Sequence, residues 1–414
     1  MTALFASLRV GLGFVAACFL CSLLAAPLLT AGAAGAQESL TGKSADGQGV
    51  LPSSPQAPVD QAVRAPQWTF SADAIVWGRT GGANQPLVSR VPGKVPFYNP
   101  PYYDTSTASG VEALNSDQFR QGFSAGPKLS LTYHDDSGYG VELSYFDVLG
   151  LSAAKAIGPD NPADWLVMKA PGSFWQTQDF PYQAMAWGDA TSLYSAEVNG
   201  RLGRSPRLTV LAGFRWLQLN DELVGWLTPA DRTAPDWKQH CSLYGLLDLP
   251  TDCPSAYYPG GPAGSYPPFW QANTKNNLYG AQIGVDAKLL ELGRFSLGGL
   301  IKAGVFDNNA EQTTVVSMAK QLYTAQAATN AAAFVGEAGL HAKYQLADGL
   351  ALKVGYEALW LDGVALAPGQ IRETYTTSPS PSSPSTPVSA TALGVNCRSN
   401  ALFQGVTFGL EVSF

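Results

Sequence analysis

Asp73, Lys128, Glu142, Glu197, Arg215, Gln282, Asp286, Lys302, Glu337, His341, Lys353, Glu357 and Glu411 all occupy one phase of an alternating sequence. That phase is otherwise rich in Gly, Ser and Thr, while the opposite phase is mostly aliphatic and aromatic. Side chains change face at every residue of a strand, so each stretch has one greasy face and one polar face. An Arg or Lys facing lipid at the midplane costs roughly 2–4 kcal/mol, and the one-sided placement therefore assigns the charges to an enclosed interior. Pairing through the turns predicts Gln282 opposite Lys302 and His341 opposite Lys353, with Glu197 diagonal to Arg215 and Glu142 diagonal to Lys128. Two readings of that chemistry stand. The groups neutralise one another inside a narrow enclosure, or they line a polar passage that handles hydrated solutes.

The elements that must position these groups are strands. The first runs over 67–79, where Trp68, Phe70, Ala72, Ala74 and Val76 oppose Thr69, Ser71 and Asp73. Four hairpins follow, at 123–133 with 139–145, 193–202 with 208–219, 278–289 with 295–306, and 334–344 with 350–360. A last strand over 400–414 ends on Phe414. The hairpin turns are tight, as at 135–138 and 347–349, whereas the connections 80–121, 150–192, 220–277, 307–333 and 362–400 are long. Short turns on one side and long loops on the other imply an all-β, transmembrane, antiparallel up-and-down barrel of about ten strands. A further pair using 312–318 would raise the number to twelve. Aromatic residues gather at both ends, with Tyr133, Tyr139, Phe295, Tyr344 and Phe414 at the periplasmic side. Phe123, Tyr145, Tyr194, Trp216, Tyr279, Phe334 and Trp360 mark the outer side.

The 414 residues are 14% charged and 46% hydrophobic, with 43 Gly and 29 Pro. Arg9, an apolar run over 10–29 and an A-x-A box at 34–36 predict a signal peptide over 1–36. A polar segment over 37–66 reads as a disordered periplasmic leader, and the barrel occupies 67–414. Removing Arg9 with the signal leaves 24 basic against 32 acidic side chains, a net charge of −8, which argues against nucleic acid as a partner. Cys241 and Cys253 lie in one Pro/Gly-rich loop and are candidates for a disulfide in an oxidising compartment; Cys397 is left over.

No nucleotide-binding, zinc-protease or calcium-loop motif occurs, and no metal or cofactor is expected. Of three histidines, His134 falls at a turn and His341 in the interior. His240, near Asp236, lies in a loop without an accompanying nucleophile. The chain is read as non-enzymatic.

An exported chain that closes on an amphipathic strand ending in Phe resembles the outer-membrane barrels, whose last strand is read by the insertion machinery; Phe414 would be that signal. The run QWTFSADAIVW at 67–77 with PLV at 86–88 resembles the opening of the putative beta-barrel porin family seven of Gram-negative bacteria. GVELSYF at 140–146, AEVNGR at 196–201, LAGFRWLQL at 211–219, YGAQIG at 279–284, VGYE at 354–357 and QGVTFGLE at 404–411 are similar to its successive strands. The resemblance implies an outer-membrane barrel and brings no substrate or catalytic residue with it.

Ten strands lie near the closed end of the barrel series. The interior phase is nonetheless rich in small residues such as Ser71, Gly126, Gly213, Gly284, Gly304, Gly355 and Gly409, which predicts a thin aqueous path. The expectation is a narrow porin for small polar solutes in the outer membrane. The alternative is a non-conducting barrel, structural or adhesive, acting through aromatic loops at 165–187 and 257–270.

Overall fold

The computed structural model describes residues 67–91, 111–158, 160, 164–168, 182–205, 207–229, 269–318, 321–377 and 389–414. The expected signal peptide, the leader, His240, the Cys241–Cys253 pair and most of the aromatic loops lie outside them.

The described residues form fifteen strands: β1 Gln67–Thr80, β2 Pro86–Val91, β3 Val111–Asn115, β4 Ser124–His134, β5 Tyr139–Ile157, β6 Trp165–Met168, β7 Tyr182–Ser205 and β8 Leu208–Pro229. They continue as β9 Phe269–Leu292, β10 Phe295–Met318, β11 Gln321–Ala347, β12 Leu350–Val364, β13 Thr374–Thr377, β14 Ser389–Ala392 and β15 Ser399–Ser413. Ten of them are staves of a closed antiparallel ring, β1-β4-β5-β7-β8-β9-β10-β11-β12-β15, with β15 pairing back onto β1. Closure leaves no edge with unpaired backbone groups, the condition for crossing lipid with strands. The ends are sewn together by Trp68 and Phe414, which exchange two backbone hydrogen bonds of 2.9 Å.

The periplasmic turns follow from their residues. Asp135 accepts from the backbone N–H groups of Ser137 and Tyr139, and Gly138 and Gly349 take positive φ values of 86° and 74° that a Cβ would oppose.

The staves are unequal in height. β1 has 14 residues and β4 has 11, but β7, β9 and β10 have 24 each and β11 has 27. At roughly 3.4 Å per residue, 24 residues run about 80 Å along the strand, far beyond an apolar band about 25 Å tall even when tilted. One side of the barrel therefore stands as a tall wall above the membrane zone. The segment 307–333, expected as a loop, is the continuation of β10 and β11, paired as far as Met318 and Gln321. Residues 312–318 thus lengthen β10 and add no stave.

The amphipathic phase inverts along this wall. On β8 the outward residues up to Trp216 are apolar, with Phe214 49% exposed, whereas Gln218, Asn220 and Glu222 above it are polar. Inward, the small and charged Gly213 and Arg215 give way to buried Leu217, Leu219, Leu223 and Leu227. Lipid outside and polar groups inside become water outside and apolar packing inside.

Candidate functional site: a layered lumen

The lowest layer of the lumen is charged. Every polar residue singled out above lies on the inward phase, and most pair across the lumen instead of along neighbouring staves. Lys128 reaches Glu357 at 2.7 Å, Lys353 reaches Asp73 at 2.9 Å, and Lys343 reaches Glu411 at 2.6 Å. Arg215 lies 2.5 Å from Glu337, and Lys302 lies 2.5 Å from Glu197. Arg201 touches Glu142 and lies 2.8 Å from Asp286. The amide of Gln282 donates to Glu197 at 2.6 Å and to Asn199 at 2.8 Å.

Glycines on the intervening staves make room for these bridges. A Cβ on Gly284 would sit 2.8 Å from Lys302 Cγ, and one on Gly409 would sit 2.3 Å from Asp73 Oδ1. Buried ions of this kind survive because each has partners that offset its lost hydration.

The turn-based pairing needs correction. Lys302 stands opposite Gly284 and Gln282 opposite Gly304, because β9 and β10 shift register at Leu297 and Gly298. His341 stands opposite Gly355, and Lys353 opposite Lys343, after a shift near Gln345. Glu197 is directly opposite Arg215. Glu142 is opposite Thr132 and Lys128 opposite Phe146, so those two are not diagonal neighbours.

Above the charges lies an apolar layer. Ile75, Trp77, Phe146, Val148, Leu193, Leu217, Leu278, Phe306, Val335, Leu359 and Phe403 form one cluster, each at most 3% exposed. Trp77 and Phe146 meet edge to face at 5.1 Å. A water-wide passage would expose the groups on its wall, and these are covered. The thin aqueous path expected from the small residues is therefore interrupted at this level.

The third layer is polar and holds a chain segment inside the mouth. Residues 364–371, which include most of a short helical turn at Ala367–Glu373, are buried. A buried segment must have its peptide groups satisfied, and the wall supplies the partners. Asn276 accepts from Ala365 N–H at 2.7 Å and donates to Ala365 O at 2.8 Å, as a neighbouring peptide would. Asp221 accepts from Ala367 N–H at 2.9 Å, and Asn308 donates to Gly363 O at 3.1 Å.

Arg79 completes the layer, 2.5 Å from Asp221 and in contact with Thr191. Gln121 donates to Asp189 and to Thr191, both at 2.8 Å. Asp189 lies above the membrane zone. Burial and the nearby Asp221 carboxylate push it up to about 7, against the pull of Arg79. A second apolar cluster of Leu87, Leu114, Leu166, Met185, Trp187, Leu223, Trp270 and Ile371 caps the whole. Its contributors include β2, β3 and β6, which continue the sheet from β7 in the order β6, β2, β3.

Arg201, Arg79, Asp189 and Asp221 were not among the residues picked from the sequence. Arg201 and Arg79 continue inward phases already read, at the ends of their runs. The two acids fall in stretches expected to be loops.

Residues 256–414 match the family model of the putative beta barrel porin-7 proteins. The match covers the C-terminal staves, where part of the resemblance lies. No curated protein matches the chain.

Among solved structures, the outer membrane protease OmpT from Escherichia coli aligns over 84% of this chain and 97% of its own at 10% identity, with a TM-score of 0.45. The Pseudomonas putida toluene transporter TodX aligns over 84% and 89% at 10% identity and 0.29. The translocator domain of the autotransporter NalP from Neisseria meningitidis aligns over 83% and 88% at 8% identity and 0.31. The chain is a closed ten-stranded antiparallel barrel of the transmembrane type.

Proposed function

We propose that this barrel is closed to polar solutes in the conformation described and serves at the cell surface as a rigid scaffold for its tall wall and outer loops. The observation that carries the reading is the apolar layer. Nine of the ten staves contribute to it, and water reaches none of its members by more than 5% of their surface. Hydrated ions do not cross such a layer without large-scale movement, because each would shed water with nothing polar to replace it. A non-enzymatic role fits the same picture. Among the described residues neither His134, next to the turn at Asp135, nor His341, in the charged layer, accompanies the Asp189–Asp221 pair.

A second reading, a narrow porin for small polar solutes, is favoured by the porin family match over 256–414. The charged layer also supports it, since Lys343 and Asp286 keep 31% and 27% of their side chains exposed. It requires the segment 364–371 to withdraw and the apolar layer to part. For biogenesis, Phe414 at the end of β15 remains our candidate contact for the insertion machinery.

Planar-bilayer conductance of refolded protein tests the choice, with folding verified by a heat-dependent shift in gel mobility. Silence from folded protein supports the scaffold. Discrete current steps from the unmodified chain would sink it and establish the porin.

A further inference from the structure

The tall wall carries a polar face whose position and chemistry are used neither by the lumen nor by the lipid belt. Outward residues on neighbouring staves form level rows. Gln218, Asn277, Asn309 and Asn330 stand side by side across β8, β9, β10 and β11. One step higher are Ser192, Asn220, Lys275 and Glu311, and above them Glu222, Asn273 and Thr313. The first row lies two residues above the interfacial pair Trp216 and Tyr279, about 7 Å along the strand.

A cleft of about 380 Å³ opens here, lined on its outer side by Ser192, Asn220, Glu222, Asn273, Lys275 and Glu311. Asn220 is held in place, donating to Ser192 at 3.1 Å and accepting from Gln218 at 3.2 Å. Higher on the same face Trp226, 45% exposed, pairs with Phe269 at 5.1 Å between ring centroids.

The geometry points to this face as a binding site for the saccharide portion of an outer-leaflet glycolipid. Amides and hydroxyls both donate and accept, as sugar hydroxyl groups do, and an exposed indole offers a flat apolar surface for the face of a sugar ring. Continuity with the membrane interface selects a ligand that is itself anchored there and rises along the wall from the aromatic girdle. The charge selects the sugar over its phosphates, because the cleft holds one lysine against two glutamates and Asp221. Phosphate recognition calls for clustered Arg or Lys. The site is independent of whether the lumen conducts.

The test uses the full folded barrel in detergent and the lipid-free oligosaccharide released from a rough-type lipopolysaccharide by mild acid. Saturation-transfer NMR should show saturable binding that survives removal of the saccharide's phosphates. Asn220→Ala combined with Asn273→Ala, and separately Trp226→Ala, should each weaken it about tenfold, the loss of one or two hydrogen bonds or a stacking face. Each variant is first shown to be folded by its heat-dependent gel shift. Absence of saturable binding by the unmodified barrel would overturn the proposal, as would binding unchanged in both variants. Binding lost with the phosphates would mean anion recognition and overturn it too. So would saccharide-free association of barrels abolished by the same variants, which would assign the face to a second copy.

Discussion

Arg79 near the top of β1 and Asp221 on β8 meet at 2.5 Å, although 142 residues separate them in sequence. Their side chains are 4% and 0% exposed, and Asp221 also holds the Ala367 N–H, so this pair ties the inserted segment to two distant staves. Arg79→Met leaves a buried carboxylate without its cation, a change that costs roughly 3–5 kcal/mol when nothing else compensates. Hydrogen exchange at Ala367 should accelerate sharply while the heat-dependent gel shift of the barrel persists. Unchanged exchange at Ala367 would mean that the pair does not hold the segment.

The same site should respond to pH. Asp189 faces Asp221 and Arg79 and is held by Gln121, so two carboxylates share one guanidinium. Its folded value is raised from the ordinary range to about 7. A raised acid favours the folded arrangement while protonated, so the contribution is full below about pH 4, the value in an unfolded chain. It is lost as pH rises through about 7. Exchange protection around the inserted segment should therefore weaken between about pH 4 and 7 and level off above that, and Asp189→Asn should flatten that profile. An identical profile in the variant would assign the effect elsewhere.

The barrel was legible because the lipid-facing phase holds runs of alternating apolar residues, as in Val406, Phe408, Leu410 and Val412 of β15. The wall above was not, because apolar residues change phase where lipid ends. Trp216 faces out and Leu217 faces in, and on β9 Tyr279 faces out and Leu278 in. A pattern search tuned to one phase sees an interruption there and reads a loop. The apolar layer was missed for a related reason. Trp77, Leu217, Phe306 and Phe403 occupy the same inward phase as Asp73, Arg215, Lys302 and Gly405, so alternation alone does not mark where the small and charged level gives way to the apolar one. Register was less legible than phase, since one bulge at Leu297 moves every later partner of β9 and β10.

The charged layer makes a prediction about paired removal. Arg215 is 1% exposed, bonded to Glu337 at 2.5 Å and to Ser195 Oγ at 2.9 Å. Glu337→Leu alone should destabilise the barrel by roughly 3–5 kcal/mol in urea unfolding from lipid vesicles, because Arg215 keeps its charge and loses its main partner. Adding Arg215→Met should recover much of that loss, since an apolar pair of similar volume is often neutral. A double variant as unstable as the sum of the singles would show that the two residues act independently.

The apolar layer can be probed through Trp77. Its ring is fully buried against Phe146, yet its Nε1–H has no hydrogen-bond acceptor among the described residues. The indole is therefore held by packing, with an unmet donor that works against it. Trp77→Phe keeps an aromatic ring and removes that donor, and should cost far less stability than truncation. Trp77→Ala leaves a cavity between staves that cannot collapse onto one another, and should cost about 3–5 kcal/mol. Urea unfolding monitored by gel mobility separates the two. Equal losses for Phe and Ala would mean that the ring nitrogen has a partner, and that this level of the lumen contains water.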